Sequence, residues 1–310
     1  MTVSPRPEDV NNPVVVLAGQ HQSQAGSATP ACLAEEQPAP NAYVPSANEM
    51  VKRPALARVY NGASGGAMTT AADRELLAKV LELVPGYRFF VAANRAFVRA
   101  AIHRFLDEGI TQLLDLGCGM FFDGLTHEIA QSVTSAARVV YVDTDLAAIA
   151  HLQQTTEGSD RVGVVHADMC GVDAVLNAPV VRKVLDVDRP VGLLAAAVLH
   201  CVPDSDVSAD VATVMRRYHD ALAPGSMLAL SHASGDSLPA DIVAQAINLF
   251  KRAGITIVSR TRQEICDLLR PWQPEPAGVA ELAWQVESGE TVYAHGYTVI
   301  ARSVHVEARE

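Results

Sequence analysis

The sequence predicts an α/β protein in which a helical N-terminal cap precedes a mostly parallel β-sheet. Two observations predict this fold class. After Gly109, short runs rich in Leu and β-branched residues alternate with helical patterns, as expected for parallel strands covered by helices. Before Gly109, apolar residues recur every three or four positions, which indicates amphipathic helices. With 310 residues, 49% of them hydrophobic, the chain can build a large core, and a fibrous or wholly disordered chain is excluded.

Residues 1–52 differ in composition from the rest of the chain. They contain seven of the 17 prolines and are otherwise rich in Ala, Ser, Gln, Asn and Glu. Such a segment cannot bury enough apolar surface to offset its ordering entropy, so we expect a disordered or loosely packed tail. The apolar residues 14–17 could anchor the tail on the folded body or simply lie within it.

Residues 53–108 form the predicted cap. The spacing of apolar residues predicts one helix over 71–84, ended by Pro85 and Gly86, and a second over 88–107, with Gly109 as its C-cap. A glycine-rich loop over 59–68 precedes both helices.

Residues 109–310 form the predicted Rossmann-like domain, with a seven-stranded sheet. Five strands are expected at 111–116, 138–143, 161–167, 190–199 and 225–231, with helices between them. A helix over 240–252 follows, and strands at 282–286 and 291–301 are expected to close the sheet as an antiparallel pair.

Charge and cysteine content exclude several classes of protein. The net charge is −11 and no block of Lys and Arg is present, so a nucleic-acid partner is not expected. Five cysteines without a CxxC spacing argue against both a disulfide framework and a cysteine metal site. No apolar stretch is long enough to cross a bilayer and no signal-peptide pattern is present, so we expect no membrane association and a cytoplasmic location.

The first predicted strand of the sheet ends in an acid followed by a glycine turn. Asp115 ends the strand, and Gly117-Cys118-Gly119 leads toward a helix. Glycines at the carboxyl edge of a parallel sheet let backbone approach a ligand, although a purely structural turn has the same pattern. A dinucleotide fingerprint needs a third glycine where this chain has Phe122, which disfavours an NAD(P) enzyme.

The next three strand ends also carry ligand-binding groups. Asp143 can accept both hydroxyls of a ribose, although an acid there can instead cap the following helix. Asp168 beside Met169 suits the edge and face of an adenine, and small residues around Ala197 would line a ligand crevice. Together the four strand ends predict an S-adenosylmethionine (SAM) site of the class I type, formed by Asp115, Gly117, Cys118, Gly119, Asp143, Thr144, Asp168, Met169 and Ala197.

A longer set of motifs resembles an actinobacterial S-adenosyl methyltransferase family formerly catalogued as a domain of unknown function. The motifs are RPALARVY (53–60), GG (65–66), AADRE (71–75), ANRAF (93–97), LDLGCG (114–119), HEIAQ (127–131), VYVD (140–143), VLHCVPD (198–204) and LSHA (230–233). The resemblance spans about residues 52–301 and implies a class I methyltransferase fold and SAM binding. It implies little about the acceptor.

The chain departs from the family pattern at two places. Where the family typically reads YDYLLGGKDNF, residues 60–70 read YNGASGGAMTT, and the usual LPT after the glycine turn is replaced by Met120-Phe121-Phe122. Two acids, a lysine and two bulky side chains are lost. Compared with the family pattern, the residues expected around the pocket are smaller or more apolar in this chain, which indicates a specialised acceptor.

Three side chains are candidate catalytic groups. His200 and His232 follow the fourth and fifth predicted strands, where a histidine with an ordinary pKa near neutrality could act as a general base. Either could instead hydrogen-bond to loop backbone. Tyr60, in the glycine-rich loop, could close over the cofactor or orient an acceptor.

Two further groups could contact the cofactor. Arg95 could bind the methionine carboxylate of SAM, or it could form an ion pair with Asp73 or Glu75. The rings of Phe121 and Phe122 could face the sulfonium, although aromatic residues after a turn are also common in a core.

These observations predict a SAM-dependent methyltransferase that acts on a small-molecule acceptor in secondary metabolism. Two alternatives remain open. The fold could be repurposed to cyclise SAM itself with release of methylthioadenosine, or the chain could be a non-catalytic SAM-binding subunit. A homodimer is also considered, and no metal is expected.

Overall fold

The computed structural model describes residues 53–120, 124–204, 210–285 and 291–304. The predictions for residues 1–52 and for Phe121 and Phe122 lie outside the described residues. Within the described part of the chain, no helix combines the length and the apolar character needed to cross a membrane.

Three helices form the N-terminal part of the described chain: α1 (Leu56–Ala63), α2 (Ala71–Leu83) and α3 (Tyr87–Asp107). The two helices predicted from the apolar spacing are present as α2 and α3. Helix α2 begins with a capping box in which the Thr70 hydroxyl accepts from the backbone of Asp73 and the Asp73 carboxylate accepts from the backbone of Thr70.

The stretch predicted as a glycine-rich loop begins as a helix. Residues 59–63 belong to α1, and the loop starts after it, where Gly65 has a positive φ of 89°. The helix forms because Val59 and Ala63 are buried against the neighbouring helices, and this packing outweighs the low helix propensity of Gly62. The Arg58 guanidinium donates to the buried Asp73 carboxylate at 2.8 Å, which fixes α1 on α2.

The sheet has eight strands, and it confirms the predicted α/β class and the mostly parallel arrangement. The strands are β1 (Gln112–Leu116), β2 (Arg138–Asp143), β3 (Val162–His166), β4 (Gly192–Ala196), β5 (Met227–Ala233), β6 (Gln273–Pro274), β7 (Ala280–Gln285) and β8 (Thr291–Arg302). Their spatial order is β3-β2-β1-β4-β5-β8-β6, and β7 also pairs with β8. The seven predicted strands are all present, and the two-residue strand β6 is added.

Strands β1 to β5 pair in parallel, and β8 pairs antiparallel with β5, β6 and β7. The remaining helices are α4 (Thr126–Val133), α5 (Leu146–Thr155), α6 (Val172–Leu176), α7 (Pro179–Val184), α8 (Val211–Ala221), α9 (Ala240–Arg252) and α10 (Arg262–Leu268). A single 3₁₀ turn, Leu199–Cys201, follows β4. The carboxyl ends of β1 to β5 therefore meet at one edge of the sheet.

Hydrophobic cores cover both faces of the sheet, so all five residues of β1 are buried. One core joins the sheet to α1–α5 and α9, and the other joins it to α6–α8 and α10. Gly192 in β4 lets α3 approach the sheet, because a Cβ at this position would lie 2.4 Å from the ring of Phe105. Helix α3 therefore packs directly on one face of the sheet.

A charge network ties the end of α3 to the C-terminal strands. Arg104 in α3 pairs with Glu108, the residue after the helix, and Arg302 donates to Glu108 at 2.9 Å and to Glu275 at 3.0 Å. Arg104 also reaches Glu275 at 2.8 Å. Hydrogen bonding from Arg302 and the nearby Arg104 charge lower the pKa of Glu108 to about 2.

Candidate active site

A cavity of about 830 Å³ lies between the N-terminal helices, the strand ends and α9. Its volume is in the range of pockets that bind drug-sized molecules. Three predicted site residues from different parts of the chain, Tyr60, Arg95 and His200, line this cavity. So do nine predicted residues at the strand ends: Asp115, Gly117, Cys118, Gly119, Asp143, Thr144, Asp168, Met169 and Ala197. The structure therefore brings together twelve of the thirteen predicted site residues.

The glycine turn after β1 requires glycine at its first position. Gly117 and Gly119 have positive φ values of 64° and 66°. A Cβ on Gly117 would lie 2.1 Å from Cγ2 of Val198, so no side chain fits between β1 and the segment after β4. Cys118 is buried and burial raises the pKa of its thiol, so the sulfur stays protonated while the backbone forms the turn.

Asp143 ends β2 and receives two backbone N–H groups. Its Oδ2 accepts from Gly119 at 2.7 Å, and its Oδ1 accepts from Asp145 at 2.8 Å. Capping of the next helix is performed by Asp145, whose carboxylate accepts from Ala147 and Ala148. Burial raises the pKa of Asp143 in spite of these bonds. Oδ2 also accepts from the Cys118 thiol at a sulfur–oxygen distance of 3.8 Å, so Oδ1 is the oxygen with a lone-pair direction left for a ligand hydroxyl.

Asp115 is the penultimate residue of β1 and is more deeply buried than Asp143. The hydroxyl of Thr126 donates to its Oδ2 at 2.6 Å. Burial is the largest of the effects that bring the pKa of Asp115 to about 7; the nearby Asp143 also raises it, while the Thr126 bond and Arg95 lower it. A carboxyl in this state is short of compensating positive charge, which a cationic ligand group would supply.

Arg95 projects from α3 into the same part of the cavity. Its guanidinium lies 3.4 Å from the carbonyl oxygen of Gly124, near the turn after β1. The two acids considered as its ion-pair partners bind other residues, since Asp73 pairs with Arg58 and Glu75 with Lys79.

The ends of β3 and β4 complete this side of the cavity. Asp168 is exposed, with Oδ1 accepting from the backbone of Cys170 at 2.9 Å, and Met169 beside it is buried. Ala197 has a φ of 54°, which is a strained conformation for alanine. Its N–H donates to the carbonyl oxygen of Ser231 at 3.0 Å and to the Ser231 hydroxyl at 2.9 Å, which hold it there.

A chain of hydrogen bonds connects this strained residue to Tyr60. The Ser231 hydroxyl donates to Oδ1 of Asn94, and Nδ2 of Asn94 donates to the Tyr60 hydroxyl at 2.7 Å. Burial raises the pKa of Tyr60 to about 12, so the phenol keeps its proton. Asn94 is itself buried. The helices above the strand ends and the end of β4 are therefore joined by directed bonds as well as by packing.

His200 lies in the 3₁₀ turn after β4 and faces the cavity, with only 6% of its surface exposed. Its Nδ1 has no hydrogen-bond partner among the described residues. Burial, with smaller contributions from His232 and Arg260, lowers the pKa of His200 to about 3. The expectation of an ordinary pKa near neutrality was wrong, because it ignored burial. The imidazole is neutral at pH 7 and can exchange a hydrogen bond with a ligand.

His232 is placed differently from His200. It is fully buried at the end of β5, behind the His200 ring, and it is not among the residues that line the cavity. Its Nδ1 lies 2.6 Å from the carbonyl oxygen of Ala233, and its Nε2 lies 3.0 Å from Nη1 of Arg260. Burial lowers the pKa of His232 to about 4. These contacts favour a role in positioning His200 over contact with an acceptor.

Arg260 is the residue at this site that sequence reasoning missed. Its buried guanidinium donates to the carbonyl oxygens of Leu199 and Val202 and to the carboxylate of Asp204. It therefore fixes the turn that carries His200. No local pattern around position 260 indicated this role, because all of its partners lie more than 25 residues away in sequence.

The groups lining the strand ends fit SAM. Two desolvated carboxylates suit an ammonium group and ribose hydroxyls, and Arg95 suits a carboxylate. The turn at Gly117 packs directly against Val198, which is possible only because this residue lacks a Cβ. Among the described residues, no cluster of His, Cys, Asp and Glu is suited to a metal ion.

The fold and these groups define a class I SAM-dependent methyltransferase. The chain belongs to the S-adenosyl methyltransferase family, whose model matches residues 45–303. It is therefore a SAM-dependent transferase with SAM as its cofactor, and the resemblance inferred from the motifs is confirmed.

Two solved structures are similar over nearly their full length. A DUF574 family protein from Streptomyces avermitilis is 29% identical, with a TM-score of 0.75, and the match covers 82% of this chain and 99% of that one. A candidate methyltransferase from Thermobifida fusca is 32% identical, with a TM-score of 0.73, and the match covers 82% and 96%. No protein with a curated description matches the chain.

Proposed function

We propose that the protein transfers the methyl group of SAM to a small-molecule acceptor made in secondary metabolism. One observation carries this proposal. The cavity extends beyond the acidic strand ends to a region lined by α1–α3 and α9, here called the second chamber, which leaves room for a molecule beside the cofactor. A chamber bounded by helices suits a small molecule better than a protein or nucleic-acid chain.

The residues at the strand ends are matched to the parts of SAM by their charge and hydrogen-bonding groups. Asp143 would accept from the ribose hydroxyls, Asp115 would pair with the ammonium of the methionine moiety, and Arg95 would bind its carboxylate. Asp168 and Met169 would contact the edge and face of the adenine. Gly117, Cys118 and Gly119 would form the floor of the site with their backbone, and Thr144 and Ala197 would flank it.

On the acceptor side, bound SAM would supply an electrophilic methyl group. When the acceptor nucleophile bonds to the methyl carbon, the C–S bond breaks and its electron pair stays on sulfur, and the nucleophile loses its proton. His200 is neutral and orients the nucleophile through a hydrogen bond. A pKa of about 3 makes it a weak base, so the proton passes to solvent. Tyr60 would hold the acceptor with its protonated hydroxyl, and His232 would keep His200 in place.

The first experiment is a thermal-shift series with SAM, S-adenosylhomocysteine, methylthioadenosine and NADH, followed by mass spectrometry of the SAM incubation. Ligand at a hundred times its Kd adds about 2.7 kcal/mol to the free energy of unfolding, which is several degrees for a domain of this size. We expect stabilisation by SAM and S-adenosylhomocysteine. Stabilisation by NADH alone would refute the proposed site.

The same samples separate the two alternative functions. Methylthioadenosine formed from SAM without an acceptor would indicate cyclisation of SAM, whereas the proposed reaction releases S-adenosylhomocysteine only when an acceptor is present. Tight SAM binding without turnover in any acceptor screen would indicate a binding subunit. Homodimerisation and a cytoplasmic location stay predictions, and light scattering of the purified chain tests the first.

A further inference from the structure

Helix α9 presents an apolar face to the cavity. Val243, Ala246, Ile247 and Phe250 recur at helical spacing and line the cavity. Of the residues in this helix, only Phe250 is buried, and the other three stay partly exposed. An apolar face that packs into a core would be buried along its length. This face is covered only in part by protein atoms, so it can contact a bound molecule.

The part of the cavity wall that the N-terminal helices form is also apolar. Leu56 and Leu83 from α1 and α2 line it, together with Tyr87 and Phe90 from α3. The Tyr87 and Phe90 rings stack at a centroid distance of 6.2 Å, and Phe90 also meets the His200 ring edge to face at 6.5 Å. Aromatic and aliphatic surfaces therefore surround the space next to His200.

Charge is confined to the other side of the cavity. The Asp and Arg residues that line it lie at the ends of β1, β2 and β3 or, for Arg95, beside the turn after β1. Around the second chamber, the described lining residues include no Asp, Glu, Lys or Arg. The two histidines there, His200 and His295, both have a pKa lowered by burial and are neutral at pH 7. A charged molecule would lose its hydration in this chamber without a counter-ion.

His200 supplies a hydrogen-bonding group on this side of the cavity. Its imidazole lines the cavity and is neutral at pH 7, so one ring nitrogen can donate a hydrogen bond and the other can accept one. Nδ1 is shielded from solvent and has no partner among the described residues, so it is not the nitrogen that faces the cavity. A ligand hydroxyl would therefore meet the His200 ring on its cavity-lining side.

We infer that the acceptor is an uncharged, mostly apolar molecule that carries one hydroxyl group, which hydrogen-bonds to the His200 imidazole while α9 and the N-terminal helices enclose the rest. This inference deepens the proposed function and rests on it, since the acceptor shares its cavity with SAM. The hydroxyl would be the methylated group.

Three probes of one size test the inference by calorimetry on the full chain saturated with S-adenosylhomocysteine. 2-Naphthol is neutral with a hydroxyl, 2-methylnaphthalene is neutral without one, and 2-naphthoate is charged. We expect 2-naphthol to bind at least tenfold more tightly than 2-naphthoate. Equal or tighter binding of 2-naphthoate would overturn the inference.

A His200→Phe variant tests the hydrogen bond itself. The preference for 2-naphthol over 2-methylnaphthalene, measured as a ratio of Kd values, should fall about five- to tenfold in the variant. An unchanged ratio in a variant that still binds S-adenosylhomocysteine would show that His200 does not hold the hydroxyl. The comparison of the three probes on the unmodified chain does not depend on this variant.

A pair of charge substitutions on α9 tests the wall. Ile247→Asp places a carboxylate on the cavity side, whereas Asn248→Asp places it on the exposed side of the same helix. Binding of 2-naphthol should weaken more than tenfold in the first variant and stay unchanged in the second, with S-adenosylhomocysteine binding equally to both. Unaltered naphthol binding by Ile247→Asp would refute the inference.

Failure of the inference can be told from failure of the proposed function. If S-adenosylhomocysteine binds and 2-naphthol does not, the cofactor site stands and the acceptor assignment is wrong. If S-adenosylhomocysteine does not bind, the proposed function fails. The probe series is then run on the chain alone, where the same order of Kd values still supports an uncharged ligand.

Discussion

Replacing Asp115 with asparagine removes a carboxyl group whose ionisation the fold disfavours. The pKa of Asp115 is raised by burial from 3.8 to about 7. A carboxyl with a higher pKa in the folded chain binds more protons there than in the unfolded chain, so stability is lost as the pH rises from about 4 to about 7. The loss amounts to about 4 kcal/mol at pH 8, as an order of magnitude. Asparagine keeps an oxygen for the Thr126 hydroxyl without the charge.

The assay is urea unfolding of the ligand-free chain at pH 5 and pH 8. Asp115→Asn should be more stable than the unmodified chain by roughly 2–4 kcal/mol at pH 8 and by much less at pH 5. Asp160→Asn, at a carboxylate that is 89% exposed, is the matched control and should change stability by less than about 0.5 kcal/mol at either pH.

The same variant should bind the cofactor more weakly. If the ammonium of the methionine moiety compensates Asp115, the Kd for S-adenosylhomocysteine should rise about tenfold or more in Asp115→Asn. A variant that is no more stable at pH 8 than at pH 5, relative to the unmodified chain, would refute the argument that the carboxyl is desolvated. Unchanged Kd would remove Asp115 from the cofactor site.

Three further predictions follow from single contacts. Asp143→Asn should raise the Kd for S-adenosylhomocysteine by roughly 5- to 150-fold in calorimetry, and no change would mean that the ribose binds elsewhere. Gly117→Ala should lower the free energy of unfolding, measured in urea, by at least about 2 kcal/mol and should abolish binding of S-adenosylhomocysteine. Gly158→Ala, with a similar φ but open space, should cost only about 1 kcal/mol. Glu108→Gln should lower the free energy of unfolding by about 1 kcal/mol at pH 7. Because the pKa of Glu108 is lowered to about 2 in the folded chain, this difference should disappear as the pH falls from about 4.5 to about 2. A difference that stays constant with pH would contradict the role of the Glu108 charge.

The cofactor side of the cavity could be predicted because parallel strands impose their geometry on the sequence. Each strand is a short buried run, and the residue that follows it lies at the same sheet edge as its neighbours. Asp115, Asp143, Asp168 and Ala197 therefore come together whatever the loops between them do. The helices α2 and α3 could also be predicted, because the spacing of their apolar residues is visible within one continuous stretch of sequence.

The acceptor side could not be predicted in the same detail, because its properties depend on burial and on distant contacts. The pKa of His200 depends on how deeply its ring is enclosed, which no neighbour in sequence reveals. The anchoring of its turn depends on Arg260, which lies 60 positions further along the chain. The helical part of the glycine-rich stretch forms only because Val59 and Ala63 find a core to pack against.

The division of the cavity into two halves bears on which use of SAM the fold supports. An enzyme that cyclises SAM needs to enclose only that molecule, and an apolar chamber beside it would fill with protein side chains or collapse. In this chain the apolar face of α9 stays partly exposed on the cavity that α1–α3 also line, and Asn94 and Ser231 link Tyr60 to the strained residue after β4. These hydrogen bonds fix the N-terminal helices relative to the strand ends. That arrangement supports a reaction between two bound molecules.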